Sequence, residues 1–167
     1  MLIVLGGLPG VGKTALARTI GRELCAVHLR IDTIEMAIWH SDLAGNRDLG
    51  DVGYRVGYGI AADNLRLGRT VIADSVNPVA ATRDAWRAVA QAIPIPVREI
   101  EVICSDIDEH RRRVERRETD LPGFVPPTWD EVCSRAYEPW EGDHIVIDTA
   151  MITLEQALAE VLDRLRA

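Results

Sequence analysis

The chain has 167 residues, 47% hydrophobic and 27% charged, which suits one soluble domain over 1–167 with a single core. Lys and Arg number 19 against 26 Asp and Glu, and the resulting charge of −7 repels a long nucleic-acid strand and favours a small ligand held in a pocket. No apolar run approaches the roughly 20 residues of a membrane span, and Met1 to Leu5 lacks the length and basic lead-in of a secretion signal, so a cytoplasmic location is expected.

In chain order, Leu2 to Leu5 is a continuous apolar run that reads as a strand buried on both faces. Lys13 to Cys25 carries Ala15, Leu16, Ile20 and Leu24 at near-helical spacing. A strand is expected over Val27 to Ile31, a helix over Thr33 to Trp39 and a polar loop from Ser41 to Gly50. Asp51 to Leu67 reads as a helix in spite of Gly53, Gly57 and Gly59. Thr70 to Ala73 reads as a strand, and Pro78 as first-turn residue of a helix running to Ala92. Val97 to Cys104 is a strand, and Asp106 opens the helix carrying Arg111 to Arg117. Leu121 to Pro127, with its prolines and glycine, is a loop. A short helix over Thr128 to Tyr137, a last strand Ile145 to Ile147 and an amphipathic helix Leu154 to Leu165 close the chain. Strands alternating with helices predict an α/β fold, with a five-stranded parallel sheet inside three αβα layers.

Gly7-Leu8-Pro9-Gly10-Val11-Gly12-Lys13-Thr14 fits the phosphate-loop pattern in full, between a buried strand and a helix. Its glycines let successive N–H groups curl toward phosphate oxygens, and the helix adds its positive end. Lys13 reaches the β and γ phosphates and Thr14 offers a hydroxyl to Mg²⁺, so the expected ligand is ATP with Mg²⁺. No Asn-Lys-x-Asp guanine motif is present, and Asp42-Leu43-Ala44-Gly45 follows no strand, so a GTPase is not indicated. The third strand ends in Asp74-Ser75 and lacks the Glu that activates water in mechanical ATPases.

Asp32 follows the second strand candidate, on the sheet edge where open α/β folds bind ligands. A carboxylate there can take the proton of a hydroxyl attacking the γ phosphate, or it can serve as a helix N-cap before Thr33. Asp74 ends the third strand on the same rim and either holds a Mg²⁺-bound water or caps a turn. Arg111, Arg112, Arg113, Arg116 and Arg117 fall in one stretch, with Arg113 and Arg117 four apart on one face. With the loop that follows, 111–127 reads as a mobile lid over ATP, as a solvated face paired with Glu109, Glu115 and Glu118, or as a nucleic-acid patch, which the intervening glutamates and the net negative charge count against.

Cys25, Cys104 and Cys133 have no metal or redox spacing and read as buried or half-buried free thiols. His28, His40, His110 and His144 show no ligand pattern, Trp86 lies on an apolar helical face, and Trp39, close behind Asp32, either lines an acceptor pocket or packs in the core, core packing being expected.

Taken together these residues resemble the small P-loop phosphotransferases related to chloramphenicol phosphotransferase, the kinase domain of polynucleotide kinase and zeta toxins. The resemblance is carried by Gly7 to Thr14, Leu29-Arg30-Ile31-Asp32, Val71 to Pro78 with Arg83, Arg116-Arg117, Tyr137-Glu138-Pro139 and Ile145 to Thr149. It implies a P-loop NTPase fold with Asp32 as general base. It also implies a lid arginine, Arg117 or Arg113, on the ATP phosphates, and Thr149 near adenine. The expected activity is transfer of the γ phosphate of ATP to a hydroxyl of a small molecule such as an antibiotic, sugar or nucleoside, by a monomer or homodimer. A 5′-hydroxyl polynucleotide kinase and an ATP-binding switch or ATPase are the alternatives.

Overall fold

The computed structural model describes residues 1–41 and 50–166. Asp42 to Gly45, and the expected polar loop except for its two ends, lie outside the described residues. Five parallel strands, β1 (Leu2–Gly6), β2 (Val27–Arg30), β3 (Val71–Asp74), β4 (Val97–Ile103) and β5 (Ile145–Asp148), form a sheet of order β2-β3-β1-β4-β5. The helices are α1 (Lys13–Glu23), α2 (Ile31–Trp39), α3 (Val52–Arg66), α4 (Ala80–Ala92), α5 (Ile107–Glu115), α6 (Trp129–Ser134) and α7 (Leu154–Arg166).

Alternation along the central strand explains the three layers. Ile3 and Leu5 point to one face, into a core with Leu16 and Ile20 of α1 and Ala157 and Val161 of α7. Leu2 and Val4 point to the other, against Ala61 and Leu65 of α3 and Trp86 and Ala90 of α4. β1 is wholly buried, so its sequence reads as an unbroken apolar run. Chain order reverses at β1, which has β3 on one side and β4 on the other, and a crevice opens there at the carboxyl ends of the strands. Register fixes what meets at that rim, because Asp74 pairs with both Leu5 and Arg30.

Several boundaries differ from the sequence reading. β2 ends at Arg30 and Ile31 begins α2 without a gap, so Asp32 lies in the first turn and Arg30 is the N-cap residue, which overturns the N-cap reading of Asp32. α1 stops at Glu23, and Cys25 takes φ 48 to turn the chain into β2. Pro78 precedes α4 by two residues, and its carbonyl accepts the Glu138 N–H at 2.8 Å. α5 ends at Glu115, leaving Arg116 as C-cap and Arg117 beyond it, so Arg113 and Arg117 do not share a helical face. α6 stops at Ser134, although Thr128 and Glu131 form the full capping box that starts it. Cys25 and Cys133 are exposed and Cys104 is half-buried, and Trp39 is 50% exposed instead of packed in the core. Among the described residues no helix is long and apolar enough to cross a membrane.

Candidate nucleotide and acceptor cleft

The phosphate loop leaves β1 through backbone that only glycine adopts easily. Gly7, Gly10 and Gly12 have φ of 136, 88 and 100°, and a Cβ at Gly7 would collide with the Val102 carbonyl. Gly12 is the N-cap of α1 with no side-chain cap, so the first amides of that helix remain directed at the loop's concave side. His110 and Val114, four apart on α5, support the loop from outside. His110 Nε2 donates to Pro9 O at 2.8 Å, and Val114 packs on Gly10. Behind the loop Asn77, fully buried at φ 49, donates to Leu5 O at 2.7 Å and accepts from Trp86 Nε1 at 3.2 Å. Arg83, 2% exposed, donates to the carbonyls of Asn77, Glu138 and Pro139 and lies over Trp140. It is therefore a strut joining α4 to the chain before β5.

In front of the loop is a cleft of about 790 Å³ lined by Lys13, Thr14, Asp32, Asp74, Arg113 and Arg117. Elements distant in sequence thus bring the expected catalytic and metal-binding side chains together. Lys13 is 8% exposed and donates to Leu8 O at 2.8 Å. Burial lowers its pKa to about 8, with Asp74 and Asp32 acting in the opposite sense. Asp74 is 3% exposed. Burial pushes its carboxyl up, but the His28 hydrogen bond, the charge of Lys13 and the Thr14 hydroxyl outweigh it and hold the group below the usual carboxylate range. Asp74 is the last residue of β3, paired on both sides, and its carboxylate binds His28 and, among the described residues, caps no turn. Asp32 Oδ2 lies 3.7 Å from Arg30 Nη2 and 3.9 Å from Arg117 Nη2.

The arginines separate into two groups. Arg111 pairs with Glu115, and Arg112 and Arg113 both pair with Glu109, as the solvated-face reading expected. Arg113 also donates to Thr149 Oγ1 at 2.7 Å and Thr149 O at 3.0 Å. Thr149 itself lies behind the loop, its Oγ1 2.8 Å from Val11 O, and is absent from the cleft lining. The Arg116 side chain has no hydrogen bond or ion pair among the described residues, and the Arg117 side chain meets the distant Asp32 carboxylate and the Phe124 ring, 5.7 Å from its guanidinium carbon. Both line the cleft. The loop after them is tied back by Asp120, which accepts from Arg30 Nη1 at 2.7 Å and from Arg18.

Sequence reasoning missed Glu35, Tyr54 and Arg135, which also line the cleft, and the supporting His28 and His110. Glu35 had a signal, since it follows Asp32 by three residues on a helix. Tyr54 and Arg135 had none, because only the packing of α3 and α6 turns them inward.

The AAA domain family model matches residues 2–128, from β1 to the residue before α6. The chain belongs to the AAA domain family. The P-loop family membership expected from the motifs is borne out by that match. Solved structures similar in fold include Chaetomium thermophilum Kti12 in complex with ADP-AlF3, 21% identical, TM-score 0.71, covering 98% of this chain and 98% of that one. The Mycobacterium tuberculosis APS kinase CysC in complex with AMPPNP and APS is 16% identical, TM-score 0.69, covering 99% and 97%. A gluconokinase from Sinorhizobium meliloti 1021 is 16% identical, TM-score 0.65, covering 98% and 94%. No curated protein matches the chain. At these identities the likeness establishes the fold, a parallel P-loop sheet flanked by helices, for this member of the AAA domain family.

Proposed function

We propose that the protein is an ATP-dependent phosphotransferase that moves the γ phosphate of ATP to a hydroxyl of a small molecule. The observation that carries this reading is the meeting of Lys13, Asp32, Asp74 and Arg117 around one cleft at the rim of the sheet. Phosphoryl transfer needs alignment and charge neutralisation more than covalent chemistry, and these side chains supply both. The loop from Gly7 to Thr14 cradles the triphosphate, Lys13 neutralises its β and γ oxygens, and Thr149, outside the cleft lining, flanks the loop at Gly12 on the side proposed for adenine. Asp32 accepts the proton of the acceptor hydroxyl as its oxygen bonds to the γ phosphorus. The bond from that phosphorus to the β–γ bridging oxygen breaks, leaving a phosphate ester and ADP.

Thr14 and Asp74 fit Mg²⁺, because a hydroxyl and a buried carboxylate held ionised are hard oxygen donors at the mouth of a phosphate loop. When bound, Mg²⁺ would offset charge on the β and γ phosphates. The segment 111–127 is the lid. Arg117 is its phosphate-facing arginine, since it lies in the cleft without a close ion pair, whereas Arg113 is engaged by Glu109 and Thr149. The single domain 1–167 thus carries donor and acceptor halves on one rim.

The test is incubation of purified protein with ATP, Mg²⁺ and pools of antibiotics, nucleosides, sugars and 5′-hydroxyl oligonucleotides, followed by mass spectrometry. A gain of one phosphoryl group on a small molecule is expected. ATP binding with no phosphorylated product from any pool would overturn the kinase reading, and product confined to oligonucleotides would overturn the acceptor class.

A further inference from the structure

Away from the phosphate loop, the cleft is lined by Glu35, Tyr54, Thr82 and Arg135, beside Asp32. Glu35 lies one turn after Asp32 on α2, so both carboxyls project from one face of that helix. It is half-buried, yet among the described residues its carboxyl has no hydrogen-bond or ion-pair partner. Its stem is seated against Gly53 of α3, where a Cβ would collide with Glu35 Cγ and come within 2.9 Å of its Oε1. A glycine inside a helix is less stable than alanine, and here the space it leaves is filled by this carboxyl-bearing side chain. Burial first, and then the charge of Asp32, raise the Glu35 pKa to about 7, with Arg135 opposing. Near neutrality such a group both donates and accepts hydrogen bonds.

The charges around it select a ligand. The Arg135 side chain makes no hydrogen bond or ion pair among the described residues, and its charge acts on both Lys13 and Glu35. An ammonium-bearing acceptor would meet Arg135, and a phosphate-bearing acceptor would meet Asp32 and Glu35. An uncharged hydroxyl compound satisfies both signs. We infer that Glu35 is an acceptor-binding residue that holds the hydroxyl next to the one phosphorylated, and that the acceptor is a neutral polyol or sugar with a vicinal diol. This rests on the kinase reading above, with Asp32 taking the reacting hydroxyl and Glu35 its neighbour.

The experiment measures phosphorylation of glucose, ribose and glycerol, their monodeoxy analogues, glucosamine and a 5′-hydroxyl dinucleotide, by wild type, Glu35→Gln and Glu35→Ala. A vicinal-diol acceptor is expected to give product in the wild type, with its KM raised about tenfold or more by removal of the second hydroxyl. Glu35→Ala is expected to raise the diol KM similarly, leave the KM for ATP unchanged and be indifferent to the missing hydroxyl. Glu35→Gln, which keeps shape and hydrogen bonding, should restore most of the diol affinity. Product confined to glucosamine or the dinucleotide, or a diol KM unmoved in Glu35→Ala, would overturn the inference while leaving the kinase reading standing. ATP binding without product from any member of the panel would count against the kinase reading and remove this inference with it.

Discussion

His28 Nε2 lies 3.0 Å from Asp74 Oδ2. β2 and β3 are paired so that His28 stands opposite Ile72, two residues before Asp74, and its ring reaches along the sheet to the carboxylate. The bond fixes the orientation of a nearly buried acid whose other neighbours are Lys13 and Thr14. His28→Ala should therefore raise the Mg²⁺ concentration needed to stabilise the protein with AMPPNP by about tenfold, the lower end of what lost orienting partners cost metal sites. Thermal unfolding at graded Mg²⁺ measures this, and an unchanged Mg²⁺ requirement would remove His28 from the site.

Lys13→Ala should abolish ATP binding by calorimetry. The wild type should also show a pH dependence of known sign. The Lys13 pKa is lowered to about 8 in the free protein, below its unfolded value, so its charge disfavours folding at low pH and this penalty fades as pH rises above 8. Bound phosphates favour the charged form. Binding above pH 8 must therefore take up a proton, and ATP affinity should fall by up to about tenfold per pH unit from there. Affinity that holds constant from pH 7 to 9.5 would contradict the assignment.

Asp32→Asn should keep ATP affinity within about twofold while phosphotransfer falls by roughly 10²–10⁴, the usual contribution of a positioned base. Single-turnover kinetics with any accepted substrate separates the two effects. Wild-type turnover would eliminate Asp32 as the base.

The two lid arginines should behave differently. Arg117→Ala should lower kcat by about 10³ or more, as expected for a group that meets transition-state charge, with little change in thermal stability. Arg113→Ala breaks the bonds to Glu109 and Thr149 and should lower stability by about 1–2 kcal/mol, with a smaller effect on kcat. Equal kcat losses in the two variants would show that the division of roles is wrong.

Asn77→Ala removes two buried side-chain hydrogen bonds, one to Leu5 O and one that leaves Trp86 Nε1 without its partner. The expected loss is about 2–4 kcal/mol in urea unfolding, with nucleotide affinity reduced because Leu5 immediately precedes the phosphate-loop strand end.

The phosphate loop, the five strands and their parallel arrangement were legible in the chain because each depends on local rules. A buried parallel strand must be apolar throughout, and a loop wrapped on phosphate must be glycine-rich and followed by a helix. Asp106 announced its helix for the same reason, as a side chain that satisfies nearby amides. Gly53 and Gly57 were legible only as weaknesses of α3. Their purpose is tertiary, one making room for Glu35 and the other for Ile31 and Trp86.

What the sequence by itself determined is the strand–loop–helix that begins at Leu2 and, through it, the P-loop. The rest of the cleft was decided by the fold. Sheet order sets Asp74 between His28 and Lys13. The end of α5 at Glu115 separates Arg113, bound to Thr149, from Arg117, left beside Asp32. Packing of α2 on α3 turns the unpartnered Glu35 inward. Each of these contacts joins residues remote along the chain, and no local propensity or spacing encodes such a meeting. It exists because burying the two faces of one sheet leaves its carboxyl rim as the place where their side chains converge.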